Sequence, residues 1–160
     1  MSIYLVQHGK AHSKDIDPDR NLNSEGITET VSIAMTLKKR QVKIAKIFHS
    51  GKARSMETAA IIAKELGIND NTFQMNGIAP SDPVGTFAAE LKPDSNVMYI
   101  GHLPFMDRLA SYLTVGNENQ SIIRFQNSGV VCLDKSPDQD SWLVEWMLVP
   151  SFNCDTHDYA

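Results

Sequence analysis

The stretch that decides the fold is residues 3–9, which read IYLVQHG. Its first four residues are apolar and include β-branched and aromatic side chains, which predicts a short buried strand. His8 and Gly9 follow at once, so a polar and potentially reactive side chain stands where the strand gives way to a tight loop. Whether this pattern recurs along the chain determines both the expected fold and the expected site.

The same pattern, an apolar strand followed at once by a histidine, occurs twice more. Residues 44–48 predict a second strand that ends at His49, and residues 96–100 predict a third that ends close to His102. Apolar residues at helical spacing occupy the intervening and following segments. The predicted helices cover residues 23–40, 53–66, 84–91 and 105–113.

Strands that alternate with helices predict an α/β domain in which helices cover both faces of the sheet. We expect a three-layer α/β/α sandwich around a mostly parallel central sheet, completed by two late strands near residues 129–133 and 142–148. No internal repeat or linker interrupts the pattern. We therefore expect a single domain over residues 1–160, with an acidic tail from about residue 150.

The composition excludes several classes of function. The 160 residues carry 15 basic against 19 acidic side chains, a net charge of -4, which argues against binding to nucleic acid or to an anionic membrane. The chain has no apolar run near the roughly 20 residues that span a bilayer and no signal-peptide pattern at its start. With only 2 cysteines and no Cys-x-x-Cys pair, we expect a cytoplasmic protein without a disulfide framework or a cofactor.

Ligands of open α/β sheets bind outside the carboxyl ends of the strands, where the three histidine-bearing segments fall. Phosphoryl transfer needs an in-line nucleophile and positive or donor groups around the phosphate oxygens. His8 is suited to the first role, and Arg54 can fork onto two oxygens. His102, if protonated, and the amide of Leu103 add donors, while Gly9 lets the backbone bend and approach the ligand.

A metal site is the main chemical alternative near the N-terminus. His8 and His12 have the spacing of a zinc pair on a helix. His8, however, ends a strand, Gly9 intervenes, and no adjacent carboxylate or cysteine completes a set of ligands. We therefore expect no metal site.

Three segments together resemble the histidine phosphatase superfamily: LVQHGKA at residues 5–11, HSGKARSMETA at 49–59 and IGHLP at 100–104. The length of the chain and the stretch DRNLNSEG at residues 19–26 resemble the short branch of that superfamily, the SixA-type phosphohistidine phosphatases. The resemblance implies a phosphoglycerate mutase-like fold. It also implies a phosphatase that works through a phosphorylated histidine, with a phosphohistidine protein as the expected partner.

The resemblance also implies roles for individual residues. His8 matches the nucleophile of the family, and Arg54 and His102 match an arginine and the second histidine of its phosphate pocket. Arg20 matches an arginine of the short branch that contacts substrate or phosphate. Asp82 lies where related enzymes often place an acid near the leaving group.

The sequence departs from the family at Gln7, which stands where the family motif has arginine. A neutral amide replaces a permanent charge, and the loss of one preorganised donor costs on the order of 3 kcal/mol of transition-state stabilisation. Arg20 restores part of that charge if it reaches the pocket. Three outcomes stay open: a slow phosphatase, a phosphatase for another substrate such as a small phosphomonoester, and a binding module for a phosphorylated ligand.

The general acid is the second open point. An alcohol leaving group needs a proton donor, whereas the imidazole of phosphohistidine leaves readily. Asp82 is the best candidate, with the alternative that it is a simple loop residue between two prolines. The absence of an unmistakable acid favours a phosphohistidine substrate over a sugar phosphate.

Overall fold

The computed structural model describes residues 2–93 and 95–150. Within these residues the chain forms six strands and four α-helices. The strands are β1 (Ser2–Gln7), β2 (Lys46–His49), β3 (Thr72–Gln74), β4 (Val97–Gly101), β5 (Val130–Lys135) and β6 (Trp142–Leu148). The helices are α1 (Ser24–Lys39), α2 (Ala53–Leu66), α3 (Val84–Glu90) and α4 (Phe105–Val115). The acidic tail predicted from about residue 150 lies outside the described residues.

The six strands form one sheet in the order β3-β2-β4-β1-β5-β6. The first four strands in this order pair in parallel, and β5 and β6 are antiparallel to their neighbours. Strand β1 lies inside the sheet, with Val6 paired to Ile100 of β4 on one side and to Val130 of β5 on the other. The prediction of a mostly parallel sheet is therefore confirmed.

Helices cover both faces of the sheet, because the side chains of a strand point alternately to either side. Tyr4 and Val6 of β1 belong to an apolar cluster shared with α1 and α2. Ile3 and Leu5 belong to a second cluster, shared with α3 and α4. The predicted three-layer α/β/α sandwich is confirmed.

Local signals in the sequence determine where the two long helices begin and end. Helix α1 follows Asn23, whose side chain accepts a hydrogen bond from the amide of Gly26 at 2.8 Å and so caps the first turn. Helix α2 ends at Gly67, which takes the left-handed conformation (φ 71).

Two features of the sheet differ from the sequence prediction. Strand β3 was not predicted, because it has only 3 residues, lies at the sheet edge and leaves its central Phe73 42% exposed, so it has no apolar pattern. Strand β2 begins at Lys46, two residues later than expected. Among the described helices, none is long and apolar enough to cross a membrane.

Candidate active site

The carboxyl ends of β1, β4 and β2 lie side by side, because these strands are parallel neighbours. His8 follows β1, and its amide donates to the carbonyl of Gly101 at the end of β4, at 3.0 Å. His102 comes next, and the centroids of the His8 and His102 rings are 5.0 Å apart. Arg54 reaches the same point from the first turn of α2. The structure thus brings together the three residues predicted to carry catalysis.

The ring of His8 is held in one tautomer. Its Nδ1 lies 2.7 Å from the carbonyl oxygen of Gly9, which can only accept, so Nδ1 carries the hydrogen and donates. The lone pair of a neutral ring is then on Nε2, which accepts a hydrogen bond from Nε of Arg54 at 3.2 Å. This is the orientation that a histidine nucleophile needs.

The surroundings of His8 keep the ring neutral. Burial lowers the pKa of His8 from 6.5 to about 4. The hydrogen bond to the Gly9 carbonyl opposes this shift, and the positive charges of Arg54 and Arg20 add to it. At neutral pH Nε2 of His8 is therefore unprotonated, and it can attack an electrophile that displaces the hydrogen bond from Nε of Arg54.

His102 is held by a chain of hydroxyl groups. The hydroxyl of Ser55 donates to the carbonyl of Lys52 at 2.8 Å, so in its 2.8 Å contact with Ser50 it can only accept. Ser50 is then the donor to Ser55, and its oxygen accepts from Nε2–H of His102 at 2.6 Å. The neutral His102 ring consequently has its lone pair on Nδ1, which is buried without a hydrogen-bond partner in the described part of the chain.

His102 is also neutral in the free protein. Burial, followed by the charges of neighbouring groups including His8 and Arg54, lowers the pKa of His102 to about 3. In the protein without a bound anion, the ring at neutral pH is therefore not the protonated donor considered from the sequence. A phosphate oxygen beside the ring would raise the pKa of His102 again, because an opposite charge favours the charged form.

Positive charge at the site comes from the guanidinium groups of Arg54 and Arg20 and from Lys52. Arg54 is half-buried, and burial together with the charge of Arg20 lowers its pKa. Within residues 2–93 and 95–150, neither Arg54 nor Arg20 has a carboxylate within 4.0 Å. Positive charge that is left unpaired in a protein of net charge -4 marks a place for an anion.

Three residues that the sequence reasoning did not assign hold the loop of His8. Thr58 accepts a hydrogen bond from the amide of Gly9 at 2.9 Å and donates to the carbonyl of Arg54 at 2.7 Å. Asn127 donates to the carbonyl of His8 at 2.9 Å, and the amide of Ser128 donates to the carbonyl of Gln7, also at 2.9 Å. The sequence offers two hints: the turn residues 127–129 just before a strand antiparallel to β1, and the place of Thr58 within the segment at residues 49–59.

Packing around the loop requires glycine at position 9, independently of the role predicted from the sequence. A Cβ atom at Gly9 would lie 2.9 Å from Oγ1 of Thr30 and 3.0 Å from Oγ of Ser128, whose hydroxyls are themselves 2.8 Å apart. The loop after β1 thus has no room for a side chain, because buried hydroxyl groups pack against it. Close approach of the backbone to a ligand stays a prediction.

The contacts of the remaining predicted binding residues do not establish a role for them. Gln7 is half-buried, and its Oε1 has no partner among the described residues. Leu103 directly follows His102 and is 40% exposed. Oδ2 of Asp82 accepts a hydrogen bond from the amide of Ala79 in its own loop at 2.8 Å, and its backbone carbonyl accepts one from Nη1 of Arg108 at 3.4 Å. None of its hydrogen bonds to described residues involves His8, Arg54 or Arg20. The roles predicted for these residues stay predictions.

The fold and the site define a class: an α/β/α sandwich that places a neutral, oriented histidine beside a guanidinium group at the carboxyl edge of a mainly parallel sheet. A model of the histidine phosphatase superfamily (branch 1) matches residues 3–74. An uncharacterized protein of Picosynechococcus is 30% identical over 142 residues, which cover 83% of this chain and 84% of that protein. The chain belongs to the histidine phosphatase superfamily.

Solved structures of similar fold include known phosphatases. The protein histidine phosphatase SixA in complex with tungstate matches with a TM-score of 0.80 at 23% identity, over 94% of this chain and 97% of that one. A protein of Agrobacterium tumefaciens assigned as a phosphohistidine phosphatase SixA matches with a TM-score of 0.73 at 26% identity, over 93% and 97%. A mycobacterial glucosyl-3-phosphoglycerate phosphatase matches with a TM-score of 0.70 at 16% identity, over 94% and 99%. Family and fold together support a phosphatase.

Proposed function

We propose that this protein is a cytoplasmic phosphohistidine phosphatase that transfers the phosphoryl group of its substrate to His8. The observation that carries the proposal is the His8 ring itself. Its Nδ1–H is anchored on the Gly9 carbonyl, and its Nε2 lone pair lies against Arg54. A neutral nucleophile beside a guanidinium without a carboxylate partner among the described residues suits attack on a phosphoryl group.

The reaction has two displacements. In the first, the Nε2 lone pair of His8 forms a bond to phosphorus, and the bond from phosphorus to the substrate nitrogen breaks. The electron pair of the broken bond stays on that nitrogen, and the ring leaves as neutral imidazole because its other nitrogen carries a proton taken from solvent. In the second, water attacks phosphorus, the bond to Nε2 breaks, and the water proton passes to solvent. Arg54 and Arg20 stabilise the charge on the phosphate oxygens in both steps.

The substrate class follows from the leaving group. Oδ2 of Asp82 accepts the Ala79 amide, and none of the hydrogen bonds of Asp82 to described residues is made with His8. A site without a placed proton donor favours a group that departs without strong acid catalysis, as the imidazole of phosphohistidine does. The likeness to the SixA structures supports this choice, whereas the mycobacterial neighbour acts on a small molecule.

The proposal is tested by trapping the intermediate. We expect wild-type protein mixed with radiolabelled phosphoramidate and quenched in alkali to carry acid-labile label, because a phosphorylated ring nitrogen hydrolyses in acid. His8→Ala should carry none. His12→Ala is the matched control and should label like the wild type, since the contacts of His12 with Asn21 and Arg20 are made by its backbone. Equal labelling of wild type and His8→Ala would contradict the proposal.

A second candidate function, a binding module for a phosphorylated ligand, is favoured by Gln7. A neutral amide with an unpartnered oxygen stands where a donor is needed, which lowers the stabilisation of the transition state more than that of the bound ligand. Hydrolysis of an aryl phosphate by wild type and by Gln7→Arg distinguishes the two. Turnover by Gln7→Arg alone would identify a binder. Gln41→Arg, which adds the same charge at an exposed site, is the control.

A further inference from the structure

We infer that Asp17 is a positioning residue, whose carboxylate fixes the turn at residues 17–21 so that Arg20 is directed toward His8 and Arg54. The inference rests on the proposed function, because it explains how a second guanidinium reaches a phosphate site that lacks arginine at position 7. It concerns a residue that does not itself touch the phosphoryl group.

The carboxylate of Asp17 makes three hydrogen bonds to the residues on either side of Arg20. Its Oδ1 accepts from the amide of Asp19 at 3.0 Å. Its Oδ2 accepts from the amide of Asn21 at 2.9 Å and from the side-chain Nδ2 of Asn21 at 2.8 Å. The backbone carbonyl of Asp17 accepts the amide of Arg20 itself, at 2.9 Å. Both neighbours of Arg20 are therefore tied to one side chain.

Arg20 adopts a backbone conformation that is unfavourable for a non-glycine residue without support from its surroundings. Its φ is 55, in the left-handed region that non-glycine residues rarely occupy. Strain of this kind persists only where the surroundings over-determine it, and it is frequent at functional sites. The three hydrogen bonds of Asp17 supply that determination, because they are made by the residues before and after Arg20.

Further hydrogen bonds connect the turn at residues 17–21 to the loop of His8 and to helix α2. Nε of Arg20 donates to the carbonyl of His12 at 3.1 Å, which leaves the terminal amino groups of the guanidinium for another acceptor. The amide of Leu22 donates to the carboxylate of Glu57 at 2.6 Å, on the same face of α2 as Arg54. In agreement with this placement, the charge of Arg20 lowers the pKa values of both His8 and Arg54.

Ionised aspartate suits this role better than its amide. Hydrogen bonds from the Asn21 backbone and side chain lower the pKa of Asp17, so both of its oxygens accept at neutral pH. In Asp17→Asn one oxygen becomes an amino group, which faces an N–H donor and cannot accept from it. The turn then loses at least one of its hydrogen bonds, and Arg20 can relax to an ordinary conformation.

The test is a double-mutant cycle read out by binding of orthovanadate to the purified full chain, measured by calorimetry. We expect Asp17→Asn to weaken vanadate binding between about tenfold and a hundredfold, since a displacement of about 1 Å has effects of this size. Asp15→Asn removes the same charge at an exposed position of the same loop and should change binding by less than about twofold. In the Arg20→Ala background, Asp17→Asn should have almost no further effect.

The cycle separates positioning from a general structural role. If Asp17→Asn weakens binding equally with and without Arg20, or no more than Asp15→Asn does, the inference is wrong. If Asp17→Asn does not fold, Asn21→Ala, which removes one of the three hydrogen bonds, takes its place in the same cycle. Wild-type protein that binds vanadate but does not label at His8 would contradict the proposed function alone, and the binding cycle would still decide the role of Asp17.

Discussion

The state of His8 is the outcome of competing local effects. Burial and two arginine charges favour the neutral ring, and a single carbonyl decides which nitrogen keeps the hydrogen. The same positive charges that would stabilise a bound phosphoryl group thus also protect the nucleophile from protonation. A histidine in water would be largely protonated at pH 5, whereas His8 is not.

The pH dependence of catalysis follows from this state. Protonation of His8 removes the Nε2 lone pair, so we expect kcat/KM to fall as the pH drops through about 4, with no loss from this group between pH 7 and 5. The measurement is a pH-rate profile corrected for ionisation of the substrate phosphate, together with an NMR titration of the His8 ring. A midpoint near 6.5 in both would show that the ring is not shielded as described.

At the residue scale, the sequence revealed the charged and nucleophilic groups but not the groups that hold them. His8, Arg54 and His102 were identified because each follows a strand end or a recognisable motif. Asn127 and Asp17 were not, because a hydrogen bond between residues 119 positions apart, or within an irregular turn, leaves no periodic signal.

At the scale of elements, the first turn of α1 packs directly on the loop that carries His8. A Cβ atom at Gly26 would lie 2.1 Å from the carbonyl oxygen of Lys10, so only glycine allows this approach. The helix and the nucleophile loop are therefore coupled through backbone contact. Sequence periodicity located α1 correctly but gave no indication of how closely it approaches its neighbour.

Gly26→Ala tests this coupling. Alanine favours a helix by about 1 kcal/mol over glycine, but the clash with Lys10 should outweigh this and lower the free energy of unfolding by about 1–3 kcal/mol. Gly85→Ala in α3 is the control, because its Cβ would meet nothing closer than 3.9 Å. Urea unfolding should show Gly85→Ala unchanged or slightly stabilised. Equal stabilisation by both substitutions would mean that α1 does not pack as described.

At the scale of the whole molecule, the buried histidines of the site make the folded protein less stable in acid. His8 and His102 are neutral in the folded protein, with pKa values of about 4 and about 3, and both titrate near 6.5 when the chain is unfolded. The unfolded chain therefore binds more protons between these limits. The contribution of the two rings to stability is complete above pH 6.5 and is lost progressively as the pH falls through about 4.

We expect the free energy of unfolding, measured in urea, to decline from pH 6.5 to pH 4. Burial also lowers the pKa of His49, which acts in the same direction. A variant carrying His8→Asn and His102→Asn lacks the two strongest contributions and should decline less steeply over this range. A variant with the same slope as the wild type would assign the acid sensitivity to carboxylates instead.

The overall architecture, like the site, was predictable from the sequence in part. The order of helices and strands and the three layers follow from apolar periodicity, which depends on the local sequence. Strand β3 was missed, because three half-exposed residues at a sheet edge gain their conformation from pairing with β2 and not from their own pattern.

The interior position of β1 gives His8 and Arg20 different local stabilities. The amide of His8 is bonded to Gly101 inside the sheet, so its deuterium exchange requires opening of the central strands. Arg20 lies outside the sheet, on a turn held by Asp17 and by the carbonyl of His12. We therefore expect substitutions in that turn to alter ligand recognition while the sheet that holds His8 stays intact.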